Sequence, residues 1–200
     1  MEYIIKIAEL FLAFIMLFSG SGHHFDTVGT AYERPAVTVP EVEEGPEDAI
    51  VSEALKYDGL TQEQMIKERG DDYRTAWCCY FVTDMARLAD LSYAIPYEGS
   101  CSALFKTLTE DMGAKVVTEP RKGDLLFFLS TREKVKPYLH IALVTEVNGN
   151  NISVIHGNYN NKVSLRNNTG FNDGKGNSTF TGTLKRVYVR PSYTKNDYNP

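Results

Sequence analysis

The 200-residue chain has no excess of basic residues, too few cysteines for a disulfide framework, and no apolar run long enough to cross a bilayer. Each absence removes a class of protein. Lys and Arg number 21 against 26 Asp and Glu, a formal net charge of −5. The acid is concentrated, since Glu33, Glu41, Glu43, Glu44, Glu47 and Asp48 fall within residues 33–48 with only Arg34 to offset them. The remainder is neutral and has no basic stripe of the kind that tracks a phosphate backbone, so no nucleic-acid partner is expected. The 3 cysteines cannot build a framework. Bridging adjacent Cys78 and Cys79 would strain the backbone, and a Cys79–Cys101 pair stays open. No internal repeat is present. His23-His24 has no further ligands at structured spacing, so neither metal nor cofactor is expected.

What is present divides the chain into four parts. Residues 1–21 read as a signal peptide or N-terminal anchor. The apolar run Leu10–Phe18 follows Lys6 and precedes Ser19-Gly20-Ser21-Gly22, small residues suited to an export signal. With Ile4–Phe18 helical, Glu2, Lys6 and Glu9 share one face, which would suit an uncleaved anchor or an interfacial helix touching a membrane. No cysteine follows the run, so a lipid-modified start is not expected. The protein is expected to be secreted, or anchored outside the cell at the wall. Residues 22–45, rich in Gly, Pro and acid, read as a linker. Residues 46–191 form the folded domain, and 192–200 a tail.

Within the domain, helical signals come first. Pro46-Glu47-Asp48 opens a helix whose positive end the acids favour. Thr61 with Gln64 forms a capping box for a second, Thr61–Arg69. A third runs from about Thr75 to Asp90 with Phe81, Val82, Met85 and Leu88 on one face, and a fourth covers Ser102–Met112, stopped by Gly113. After Pro120 the signal turns to strands at Asp124–Leu129, His140–Val147, Ile152–His156 and Arg186–Arg190. Asn167–Gly176 reads as a long loop. Helices followed by strands indicate an α+β domain, N-terminal helices packed on a mostly antiparallel sheet.

One thiol stands out. With Thr75 as N-cap, Cys78 becomes the third helical residue, among N–H groups that lack helical partners. Those donors favour thiolate over thiol and could hold an oxyanion. Cys78 heads the face continued by Phe81, Val82 and Met85, whereas Cys79 is turned further aside. Helical geometry therefore prefers Cys78, while the reading of both as small core residues stays open.

Trp77-Cys78-x-x-Phe81-Val82 resembles the W-C-A-x-F-V nucleophile motif of CHAP domains, relatives of the NlpC/P60 group. Pro120-Arg-Lys-Gly-Asp124 resembles the family's strand opening. His140-Ile-Ala-Leu-Val144 resembles the strand that carries its base, and Val154-Ile-His156-Gly-Asn158 the segment that orients that base. The resemblance spans residues 46–191. It implies a papain-like fold, Cys78 as nucleophile, His140 as base, and cleavage of an amide bond in the stem or cross-link peptides of peptidoglycan. CHAP domains usually carry Glu where this chain has His156, and NlpC/P60 enzymes carry His there. The third member is therefore His156 or Asn158.

The strands flanking Asn148-Gly149-Asn150-Asn151 should form a hairpin. A two-residue loop alone would turn His140 away from His156. A three-residue loop or a bulge would set Ala142 opposite Asn158 and Val144 opposite His156, with all the candidates on one face and Asn158 the nearer to His140. Amidase and endopeptidase activities are both compatible with the resemblance. The alternative class is a catalytically inactive wall-binding or interaction module.

Overall fold

The computed structural model describes residues 45–130, 138–170 and 184–194, which lie within one compact unit, Val42–Pro200. The expected signal or anchor, nearly all of the acidic linker and residues 195–200 of the tail fall outside the described residues, as do residues 171–176 of the expected loop.

Helix α1 (Pro46–Leu55) begins with Pro46 in a first turn that needs no N–H, and with Glu47 and Asp48 at its positive end. It buries Ile50, Val51 and Ala54. Helix α2 (Gln62–Arg69) opens on the expected capping box. Gln64 N–H donates to the Thr61 hydroxyl at 3.4 Å, and Thr61 N–H donates to Gln64 Oε1 at 2.9 Å. A 3-10 turn (Asp71–Arg74) leads to α3 (Cys78–Leu88), and α4 (Cys101–Lys106) continues as a π-helical turn through Thr107–Asp111.

Helix α3 is buried on almost every side, from Cys78 and Cys79 through Phe81, Val82, Met85 and Ala86. Full burial of side chains such as Phe81 stabilises by about 1.5–3 kcal/mol each. The buried carboxylate on this helix, Asp84, is satisfied by two guanidinium groups and a hydroxyl. It accepts from Arg69 at 2.8 and 3.1 Å, from Arg87 at 2.6 and 3.0 Å, and from the Tyr73 hydroxyl at 3.0 Å. This cluster ties α2 and the 3-10 turn to α3.

Six antiparallel strands follow among the described residues: β1 (Lys115–Val117), β2 (Leu125–Ser130), β3 (Tyr138–Asn148), β4 (Asn151–His156), β5 (Ser164–Gly170) and β6 (Leu184–Arg190). Their order is β1-β6-β2-β3-β4-β5. The chain is thus α+β, as its order of signals indicates. Residues 167–170, read as the start of a loop, belong instead to β5, where Thr169 pairs with Ile152 and Gly170 with Asn151. Strand β5 is an edge with one partner, so it can remain polar.

Side chains alternate across the sheet. Leu125, Phe127, Ile141, Leu143, Ile155 and Val189 join the core that includes the helices. Leu126, Phe128, Ala142, Val144, Val154 and Tyr188 form a second buried cluster on the opposite face. Asp124 locks the start of β2 to the end of β6 by accepting from Arg190 at 2.9 and 2.8 Å and from Arg121 N–H at 2.7 Å. The Gly-Asp pair of the strand-opening motif is therefore a structural clamp.

Candidate active site

Cys78 is the first residue of α3, not the third. The cap position belongs to Trp77, which makes no side-chain capping bond, because Asp71–Arg74 takes up a separate 3-10 turn before the helix begins. A helical bond from Phe81 N–H to Trp77 C=O at 3.0 Å leaves the N–H groups of Cys78, Cys79 and Tyr80 without helical acceptors. Trp77 itself is fully buried, with its ring centroid 5.4 Å from Tyr73 and 6.4 Å from Phe81. This aromatic run fixes the entry into α3.

One contact decides how close α3 comes to the sheet. A Cβ on Gly157 would stand 2.3 Å from Phe81 Cβ. Without a side chain at 157, Phe81 seats against the backbone just beyond β4, one turn from Cys78. The Cys78 thiol is then close enough to His140 for the imidazole to favour its ionised form. Cys79 is fully buried.

Hairpin geometry brings the two histidines together by a route only half anticipated. The loop has two residues, since Asn148 pairs with Asn151. A bulge at Thr145 then shifts the register, so Val144 lies opposite Val154 and Leu143 opposite Ile155. The expected pairs Val144–His156 and Ala142–Asn158 do not form, because the bulge moves the register in the other direction. His140 Nε2 and His156 Nδ1 stand 2.9 Å apart. The ring planes differ by 16° and the centroids by 5.1 Å, so the rings meet edge to edge in a nearly planar hydrogen bond. Phe128 flanks both, at 5.5 Å from His140 and 5.9 Å from His156.

Strand β4 ends at His156, and Asn158 has turned into the left-handed region at φ 56°. The structure therefore joins Cys78, His140 and His156 and leaves Asn158 in the turn beyond them.

Electrostatics at the site are those of neutral groups. Contact with the Cys101 thiol, together with burial, pushes the Cys78 thiol up from its ordinary value, and the His140 imidazole only partly pulls it back. That shift favours the thiol, the opposite direction from the thiolate expected at a helix start. The free N–H groups there do not outweigh the loss of water and the second sulfur. Burial also pushes His156 well below 6.5, with His140, Arg166 and Arg186 adding to the shift. His156 is neutral near pH 7.

Two contributors escaped the sequence. Cys101 Sγ lies 3.8 Å from Cys78 Sγ, where the spacing had left a Cys79–Cys101 pair open. Tyr159 packs on His156 with centroids 5.1 Å apart, and the Arg166 guanidinium lies 5.3 Å from the Tyr159 ring. Cys101 had a signal in its Ser100 cap. Tyr159 follows Asn158 in a turn with no periodic pattern. Among the described residues, no three His, Cys, Asp or Glu side chains are placed to hold a metal ion.

On this α+β scaffold the Cys78 thiol at the start of α3 lies near the hydrogen-bonded pair of His140 and His156. The family model of the CHAP domain matches residues 69–158, which contain Cys78, Cys101, His140 and His156. The match covers 90 of the 200 residues. No curated protein matches it. Among solved structures, the crystal structure of Ly7917 is similar at 14% identity and a TM-score of 0.44, covering 72% of this chain and 62% of that one. The crystal structure of Ly7917 with the hydrolyzing product of MDP is similar at 13% identity and a TM-score of 0.41, with the same coverage. The chain thus matches about 62% of the length of those structures.

Proposed function

We propose that this domain is a cysteine hydrolase that cleaves an amide bond in the peptide part of peptidoglycan, outside the cell. The observation that carries this is the chain of contacts from the Cys78 thiol to His140 and from His140 Nε2 to His156 Nδ1 at 2.9 Å. The CHAP match supports the substrate class.

The proposed mechanism requires particular tautomers. His140 must accept the thiol proton on Nδ1, so its Nε2 carries hydrogen and donates to His156 Nδ1, and His156 keeps its own proton on Nε2. Starting from the thiol, proton transfer to His140 accompanies attack on the carbonyl carbon. N–H groups at the start of α3 receive the developing oxyanion. The His140 imidazolium then protonates the leaving amine, the C–N bond breaks and a thioester remains. Water, deprotonated by His140, attacks the thioester and releases the acid and the thiol. His156 stays neutral, holding the imidazole in orientation and sharing its charge.

A second reading draws on the raised Cys78 thiol and its 6% exposure: an inert module that keeps the fold without turnover. Digestion of purified peptidoglycan by the full chain, with Cys78→Ala as control, separates the two. Mass spectrometry of the ends released distinguishes amidase from endopeptidase. No new ends above those of the control would sink the hydrolase.

A further inference from the structure

Cys101 takes no part in this hydrolysis, yet the fold holds its sulfur against the nucleophile. Its position follows from the loop before it. The Tyr97 ring packs on Tyr80 of α3, centroids 5.6 Å apart, and the Tyr97 hydroxyl donates to Asp72 at 2.6 Å. Thr83, also on α3, places its hydroxyl 3.1 Å from the Glu98 carbonyl and 3.3 Å from the Glu98 N–H. A Cβ on Gly99 would stand 2.3 Å from the Tyr80 ring, so the loop can lie this close only with glycine there. Ser100 then caps α4 by accepting from Ala103 N–H at 3.3 Å, and Cys101 follows as its first residue. The 3.8 Å separation of the two sulfurs is thus fixed by contacts along one side of α3. All three cysteines are free thiols.

We infer that Cys101 is a resolving thiol, and that a hydroperoxide switches the enzyme off reversibly through a Cys78–Cys101 disulfide. This rests on Cys78 being the nucleophile. His140 takes the Cys78 proton as it does for hydrolysis, and the thiolate attacks the peroxide. An S–O bond forms, the O–O bond breaks, and the departing alkoxide or hydroxide takes up the proton to leave as alcohol or water. Sulfur has lost two electrons and is a sulfenic acid. Cys101 sulfur then attacks Cys78 sulfur, the S–S bond forms, and the S–O bond breaks. The departing hydroxide leaves as water with the Cys101 proton. Two thiols and one hydroperoxide give one disulfide, one alcohol (or water) and one water.

Geometry favours this pair. A disulfide needs sulfurs about 2.05 Å apart, so they must close by roughly 1.8 Å, within reach of side-chain rotation. Cys79, fully buried and next in sequence, can bridge to Cys78 only by straining the peptide between them. Neither Cys78 nor Cys101 is wholly buried, with exposures of 6% and 7%. Once formed, the sulfenic acid has a thiol as its neighbour, so disulfide formation competes well with further oxidation.

The test treats the full chain, reduced and then desalted, with hydrogen peroxide, and follows both peptidoglycan release and non-reduced tryptic peptides. Cys79→Ala makes the map unambiguous, because its Thr75–Arg87 peptide then holds Cys78 alone. The expected result is a link from that peptide to the one containing Cys101, with activity reduced by about a hundredfold and both changes reversed by dithiothreitol. Cys101→Ala, combined with Cys79→Ala, should lose activity to peroxide and fail to recover, since Cys78 proceeds to sulfinic acid. Cys101→Ser gives the same reading should Ala disturb the fold. Absence of the link, a wild-type link running from Cys79, or full recovery of the Cys101 variants would overturn the switch. An active enzyme without the link sinks the switch alone; a link in a protein inert before oxidation sinks the hydrolase and the switch together.

Discussion

The two ends of α3 handle buried polarity in opposite ways. Near its C-terminal half, Asp84 is an ion among ions. Burial would raise its carboxyl, yet the bonds from Arg69, Arg87 and Tyr73 hold it below its ordinary 3.8. At the N-terminal end, Cys78, Cys101 and His156 are buried as neutral groups, each shifted toward its uncharged form. An ion-paired cluster is locked into one protonation state and serves to hold elements together. A neutral one can pass a proton along its members without first separating charge from a fixed partner. The helix thus carries an ion-paired cluster at one end and neutral titratable groups at the other.

Substitutions that push the two ends apart sharpen this contrast. The largest effect belongs to Cys78→Ala, which should abolish peptidoglycan cleavage, by about 10⁴-fold or more, while urea unfolding stays within about 1 kcal/mol of wild type. Residual turnover, with Cys79→Ala the dead variant instead, would assign the chemistry to the wrong sulfur. Asp84→Asn should do the reverse, lowering stability by about 3–5 kcal/mol because Arg69 is left partly buried without its counter-ion. Chemical denaturation reads this directly, and an unchanged midpoint would mean that the cluster is not an anchor.

Next comes His156→Gln, expected to lower kcat by about a hundredfold with little change in KM. It also tests the pH behaviour. A histidine depressed below 6.5 contributes stability that is present above 6.5 and is lost as pH falls toward its folded value, because the unfolded chain takes up the proton first. Asp84, depressed below 3.8, keeps its contribution until pH falls below 3.8. Loss of stability on acidification should therefore begin below pH 6.5 in the wild type, and His156→Gln should flatten that first phase without touching the second. Unfolding curves between pH 7 and pH 3 decide it.

Smaller again is Gly157→Ala, where the new methyl meets Phe81. A cost of about 1–3 kcal/mol is expected, with activity falling further than stability as Cys78 is levered from His140. Smallest is Cys101→Ala. Removing the contact that pushes the Cys78 thiol up should speed iodoacetamide labelling of Cys78 near neutral pH, about tenfold for each unit by which its pKa falls. Slower labelling would reverse the sign assigned to that contact.

Most of the central fold could be read from residue patterns, and its margins could not. Strands β2, β3 and β4 announce themselves because they pack on both faces and are largely apolar. The sequence Ser164-Leu-Arg-Asn-Asn-Thr-Gly of β5 and the short β1 sit at the two edges, where burial imposes no pattern. The capping box at Thr61 was legible because both partners are local. The start of α3 was not, since Thr75 looks like a cap only until Asp71–Arg74 is seen to form its own turn. Cys78, His140 and His156 could be named from motifs. Their protonation could not, because it depends on Cys101, 23 residues away in sequence, and on burial that no spacing encodes.

The extra residue at Thr145 governs more than the local shape of a hairpin. It sets the parity of everything upstream on β3, and Ile141, Leu143 and His140 inherit their sides from it. Deleting Thr145 would be a frameshift in space. Odd and even positions would exchange roles, the apolar pair would point away from the helices, and the imidazole would be carried to the wrong side of the sheet with no change to its own residue.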